Sequence, residues 1–154
     1  MKQAFAFLVG AVLCVTFVRA GDVKVEAYMT NNPKDEAATI FAADNPKLYA
    51  MFKAKRTKDG DKIRGVLIAE DVGDAAPANT KVLERTLDVE GDSEGRDFTG
   101  DFNFSKPTTG WPVGKYRVEI YVNEELATTA KFTIKASTKP KNEAKDEEEE
   151  ESGD

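Results

Sequence analysis

Apolar and polar residues alternate along most of this chain with a period of two. Val23, Val25, Ala27 and Met29 share one parity against Lys24, Glu26 and Tyr28, as expected of a strand with one buried face. The pattern resumes at Leu48, Ala50, Phe52 and Ala54, with Lys53 and Lys55 opposite. Phe98, Phe102 and Phe104 share a parity with Gly100, while Asp101 and Asn103 face away. Tyr116, Val118, Ile120 and Val122 then oppose Lys115, Arg117, Glu119 and Tyr121, and Leu126, Thr128, Ala130, Phe132 and Ile134 form the inner face of a last strand. Two segments depart from the rule. Ile63 to Ala69 is apolar on both parities apart from Arg64 and Gly65, which predicts a strand either covered on both faces or exposing an apolar strip. Lys81 to Val89 is more polar, with Glu84 and Arg85, as suits a sheet edge.

Turn-forming residues separate these runs. Asn31 to Glu36 and Asp44-Asn45-Pro46 flank a short apolar piece, Thr39-Ile40-Phe41. Thr57 to Lys62 predicts a hairpin-like connection with Gly60 available for positive φ, Asp71 to Thr80 the longest loop, and Asp88 to Gly95 an acidic hairpin. Lys106 to Gly114 is a Pro/Gly-rich turn holding the single tryptophan, Trp111, and Asn123-Glu124-Glu125 is a tight connection. No segment carries a 3.6-residue period over a helix length. About seven strands with turns every eight to twelve residues predict an all-β fold, an antiparallel two-sheet sandwich with Greek-key connections.

The ends of the chain read differently. Met1-Lys2-Gln3, the apolar run Ala4 to Val18 and Arg19-Ala20-Gly21 have the form of a cleaved secretory signal peptide over residues 1–20. Cys14, the single cysteine, lies inside that run, and Leu13 before it is too large for a lipidation signal. The exported chain is thus expected to contain no disulfide and no membrane anchor. Residues 138–154 hold eight acids against three lysines, and their composition predicts a disordered acidic tail behind a folded domain of residues 21–137. Of the net charge of −6, the tail accounts for −5, so the domain itself is only mildly acidic. No basic cluster matches a run of phosphates, which argues against a nucleic-acid partner.

The chain has no histidine. With Cys14 in the leader, triad chemistry, His-metal sites and structural zinc all drop out. No cofactor is expected, since no glycine-rich loop joins a strand to a helix. Asp88 to Gly95 alternates oxygen ligands with glycines but does not match a calcium loop, and reads as a solvated acidic turn. Asn103-Phe104-Ser105 fits the N-glycosylation pattern, which matters only for a eukaryotic source.

Gly114-Lys115-Tyr116-Arg117-Val118 resembles the corner that opens strand F of immunoglobulin-like and fibronectin type III-like sandwiches. The longer run from Phe102 through Trp111 to Ile134 is similar to the C-terminal half of Ig-like domains of bacterial exported proteins. Val118 stands where antibody-type domains have a cysteine, and Ile63 to Ala69 lacks their core tryptophan. The resemblance implies an extracytoplasmic Ig-like sandwich in which the Tyr116 hydroxyl bonds back to the corner backbone. It implies no activity.

The expected function is non-enzymatic binding or support of another envelope or extracellular protein. The two-sided strand, through Ile63, Val66 and Ile68, is the expected contact surface. A glycan-binding alternative uses Trp111, Tyr121 and Tyr28 as an aromatic platform, although a tryptophan in such a turn more often caps the core. A small hydrolase would require two carboxylates converging in a pocket.

Overall fold

The computed structural model describes residues 23–91 and 95–138. The expected signal peptide, the acidic tail beyond Thr138 and Asp92 to Glu94 lie outside these residues. Eight strands are present among them: β1 (Lys24–Thr30), β2 (Ile40–Ala42), β3 (Lys47–Thr57), β4 (Lys62–Asp71), β5 (Thr80–Asp88), β6 (Arg96–Ser105), β7 (Gly114–Val122) and β8 (Glu125–Lys135). They form a three-stranded sheet, β1-β3-β6, packed against a five-stranded sheet, β2-β8-β7-β4-β5. The fold is an all-β, two-sheet Ig-like sandwich. No helix among the described residues is long and apolar enough to cross a membrane.

Three local expectations change. The sheets are not wholly antiparallel, because β2 runs parallel to β8, pairing Ile40 with Thr133 and Phe41 with Ile134. Three residues suffice for β2 because Phe41 is buried and meets Phe132 edge-on, with ring centroids 5.7 Å apart. The turns at 57–62 and 88–95 do not make hairpins. Each carries the chain between sheets, from β3 to β4 and from β5 to β6. Turn composition marks a reversal of direction, but it does not say whether the flanking strands pair.

The link from β7 to β8 is a true two-residue hairpin, with Asn123 at φ 49° and Glu124 at φ 72°. Asparagine tolerates that conformation and glutamate does so at a cost. Asn123 also ties this hairpin to the β3–β4 crossing. Its Oδ1 accepts from the Lys62 amide at 2.9 Å, and its Nδ2 donates to Asp61 Oδ1 at 2.8 Å.

The core is built largely from the alternating positions read above. Leu126, expected on the inner face, is instead 51% exposed, because the register shift between Ile120 and Tyr121 sets it opposite Tyr121 on the outer side. Leu48, Ala50, Phe52 and Ala54 face Ile63, Leu67, Val118, Ile120 and Ile134 across the sandwich, all buried. The sheets approach so closely at one point that a Cβ on Gly65 would lie 2.5 Å from the Phe102 ring. Glycine there is a packing requirement, and it allows Phe102 to stack on Phe52 at 5.1 Å.

Candidate functional site

Three surfaces hold the residues singled out in the sequence: the corner around Trp111 and the two outer faces of the sandwich. At the corner, Trp111 is only 5% exposed. Its Nε1 donates to the Asn45 carbonyl at 3.0 Å and its amide to the Ala43 carbonyl at 3.2 Å, so it joins the β6–β7 crossing to the β2–β3 turn. The ring meets Tyr116 edge-on, and Tyr116 stacks on Phe132 at 5.4 Å. Tyr116 donates its hydroxyl to the Pro112 carbonyl at 2.7 Å, which is the corner bond the resemblance implied. Burial pushes the phenol up to about 12, so it stays a donor throughout the physiological range. Trp111 is therefore a cap on the core. It offers no face to a sugar.

The outer face of the five-stranded sheet contains the apolar strip of β4. Ile63 is not part of it, since it points inward and is fully buried. Val66 and Ile68 do point outward, outside the core cluster, yet they are only 4% and 8% exposed. The register explains their burial. Val66 lies between Glu119 of β7 and Glu84 of β5, and Ile68 lies between Arg117 and Lys81. Directly opposed side chains on one sheet face stand about 5 Å apart, so the aliphatic stems of these neighbours cover the strip.

The charged ends above it are joined. Arg117 Nε donates to Glu119 at 2.7 Å, and its Nη1 to Glu70 at 3.2 Å and to Asn79 at 2.7 Å. Arg64 sits 4.3 Å over the Tyr121 ring, with Glu84 and Glu124 at 3.7 and 3.2 Å. Tyr121 donates to Glu119 at 2.6 Å. Burial raises the Glu119 carboxyl, but the hydrogen bonds from Tyr121 and Arg117 outweigh it and hold the group below the usual carboxylate range. The same bond raises the Tyr121 phenol, with partial burial adding to it.

This network neutralises its own charges. Glu70 and Glu119 converge on one arginine, and the Glu119 carboxyl, held ionised, is poorly suited to act as a general acid. A depression of about 500 Å³ beside it is lined by Glu70, Lys115, Lys131 and Thr133, with Glu70 the one carboxylate among its lining residues. No group of three or more potential metal ligands occurs among the described residues.

The outer face of the three-stranded sheet is built differently. Tyr28 of β1 pairs with Met51 of β3, which pairs with Asp101 of β6. The next row is Thr30, Tyr49 and Asn103, and the row on the other side is Glu26, Lys53 and Thr99. Tyr28 is 41% exposed, and Tyr49 and Met51 are half-buried. Among the described residues, the ion pairs of this face lie at its margin, between Lys53 and Asp97 at 2.8 Å and between Lys55 and Glu26 at 2.8 Å. A shallow pocket of about 300 Å³ opens between Tyr28, Met51 and Lys53.

The structure thus separates the six residues expected to bind. Trp111 and Ile63 are in the core, Val66 and Ile68 are roofed over, and Tyr121 and Tyr28 lie on opposite outer faces and cannot share a platform. In the sequence the apolar strip reads as a contact surface because strand parity reports which face a residue is on, but not what its cross-strand neighbours do there. Tyr49 and Met51 were missed. Their signal was available in the run Leu48 to Ala54, where the parity opposite the core starts with a tyrosine and a methionine before it turns to lysine.

No protein-family profile matches the chain, and no curated protein matches it in sequence. Among solved structures it is similar to the alkylpurine DNA glycosylase AlkC of Pseudomonas fluorescens bound to DNA with an abasic-site analogue, at 15% identity and a TM-score of 0.48, over 74% of this chain and 30% of that one. It is also similar to a β-glucosidase from Listeria innocua in complex with isofagomine, at 13% identity and 0.47, over 73% and 16%. An immunoglobulin-like protein from Pseudomonas aeruginosa matches at 12% identity and 0.42, over 75% and 93%. The chain spans less than a third of the glycosylase and about a sixth of the glucosidase.

Proposed function

We propose that the chain is an exported, non-enzymatic Ig-like module that docks another extracytoplasmic protein through the outer face of its three-stranded sheet. Tyr28, Met51 and Tyr49 form the apolar centre of that contact, and Glu26, Lys53, Asp101 and Asn103 form its polar rim. The observation that carries the reading is the contrast in exposure: Tyr28 is open, whereas the outward apolar residues of β4 are covered by ion-paired side chains. Interface centres favour tyrosine and methionine, with charged groups at the edge. A leader-like N-terminus supports export, and the lack of His, of Cys outside that leader and, among the described residues, of a carboxylate pair lining the depression beside Arg117 supports a binding role over a catalytic one.

The test is site-specific photocrosslinking in the cells that make the protein. A benzophenone amino acid replacing Tyr28 should give a discrete protein adduct, and the same group replacing Thr129 on the opposite face should give none. Adducts from position 129 alone would place the contact on the five-stranded sheet and overturn the assignment.

A second reading takes a glycan on the same patch, without Trp111. It is favoured by the carboxylates and amide that ring the two tyrosines, a combination suited to stacking a sugar ring and bonding its hydroxyls. Glycan-array binding lost on Tyr28→Ser with no change in the unfolding midpoint would support it over a protein partner.

A further inference from the structure

The sheet edges of this sandwich are not equally protected. β5 is twisted by a register shift at Leu67/Ile68, where Val82 is the extra residue, and it carries Lys81, Glu84 and Arg85. β2 is three residues long, and β1 lies against β8 of the other sheet. Bulges, short length and cover are the devices that keep an edge from pairing with another chain. Among the described residues β6 has β3 on one side and no strand on the other, and its ladder from Phe98 to Ser105 is regular against Lys47 to Ala54. The strand contains neither proline nor lysine.

We propose that β6 pairs with β6 of a second copy, antiparallel about a two-fold axis that runs between the two Gly100 residues and is normal to the sheet. Such an axis keeps each face on its own side, so only residues of the same parity can oppose one another. Centred on Gly100, the register sets Thr99 against Asp101 of the second copy and Asp97 against Asn103. On the inner side it sets Phe98 against Phe102 and Arg96 against Phe104. No like charges meet, and residues 96 to 104 all take part.

Neighbouring registers are worse. Centring on Thr99 opposes Asp97 to Asp101, and centring on Asp101 opposes that residue to itself. Centring on Phe98 or Phe102 shortens the ladder. Half-buried Phe98, which packs on Phe52 at 6.0 Å, gains an aromatic neighbour in the favoured register. The product is one continuous sheet, β1-β3-β6-β6-β3-β1, presenting two copies of the Tyr28–Met51 patch on one face. This pairing rests on the edge and its register, and it stands whether or not that patch is the docking surface.

Sedimentation velocity on the full chain over a wide concentration range, at physiological salt, tests the register through residue 99. Thr99 is exposed, so both substitutions below leave the core untouched. Thr99→Asp faces Asp101 of the second copy twice per dimer and should weaken association by about twofold to about thirtyfold, at about 0.2–1 kcal/mol per opposed pair. Thr99→Lys faces the same aspartates and should tighten it by a similar factor. A chain that is monomeric at every concentration overturns the proposal. So does a dimer that both variants leave unchanged or that both weaken.

Discussion

The two outer faces of this sandwich start from the same local rule and end in opposite states. On the five-stranded sheet, β4 sends two aliphatic residues outward, and β5 and β7 answer with Glu84, Lys81, Glu119 and Arg117, whose stems cover them and whose charges pair above. On the three-stranded sheet, β3 sends Tyr49 and Met51 outward, and β1 and β6 answer with a second aromatic ring, Tyr28, and short polar residues that cannot reach over it. The difference lies in the lengths of the neighbours. An outward apolar residue is a surface only if the strands beside it lack long side chains. Sealing also changes what mutations do, because the sealed face should govern stability and the open face binding.

The largest effect should come from breaking the seal. Arg117→Ala leaves Glu70 and Glu119, both mostly buried, without their shared cation and opens Ile68 to water, and we expect a loss of about 1–3 kcal/mol in urea unfolding. Next is Val66→Ala, which removes covered apolar volume and should cost about 1–2 kcal/mol, as a core substitution would.

Tyr121→Phe should cost about 0.5–1.5 kcal/mol and also change the acid response. Glu119 has a lowered pKa in the folded protein, so its contribution is complete above the usual carboxylate range and is lost as pH falls through the lowered value. Removing the Tyr121 donor brings the carboxyl closer to its ordinary value. The fall in stability between neutral and acid pH should then be shallower than in the native protein. A steeper fall would mean that the bond does not favour the ionised form.

Smallest on stability should be Tyr28→Ala or Met51→Ala, at about 0.5 kcal/mol or less. If these cost as much as Val66→Ala, the open face is also a structural one and the contrast fails.

Much of the fold could be read from parity. Five of the eight strands coincide with alternating runs and two more, β4 and β5, with the apolar and polar runs read as strands, while the Tyr116 corner bond followed from the resemblance carried by Gly114-Lys115-Tyr116. β2 escaped as a strand because its pairing is parallel and too brief to show alternation. The crossings at 57–62 and 88–95 resembled hairpins because Asp and Gly serve either purpose. The site was less legible still. That Trp111 closes the core depends on Asn45 and Ala43, far away in sequence. The covering of Val66 depends on Glu84 and Glu119, which meet it only through the register of two other strands.

The central claim is that binding resides on the three-stranded face. Once the partner crosslinked at position 28 is identified, its affinity for Tyr28→Ser and for Thr129→Ser decides the matter by titration calorimetry. The account predicts a loss of about tenfold or more for Tyr28→Ser, as for an aromatic anchor, and a change within about twofold for Thr129→Ser. Equal losses, or a loss only at Thr129, would contradict it.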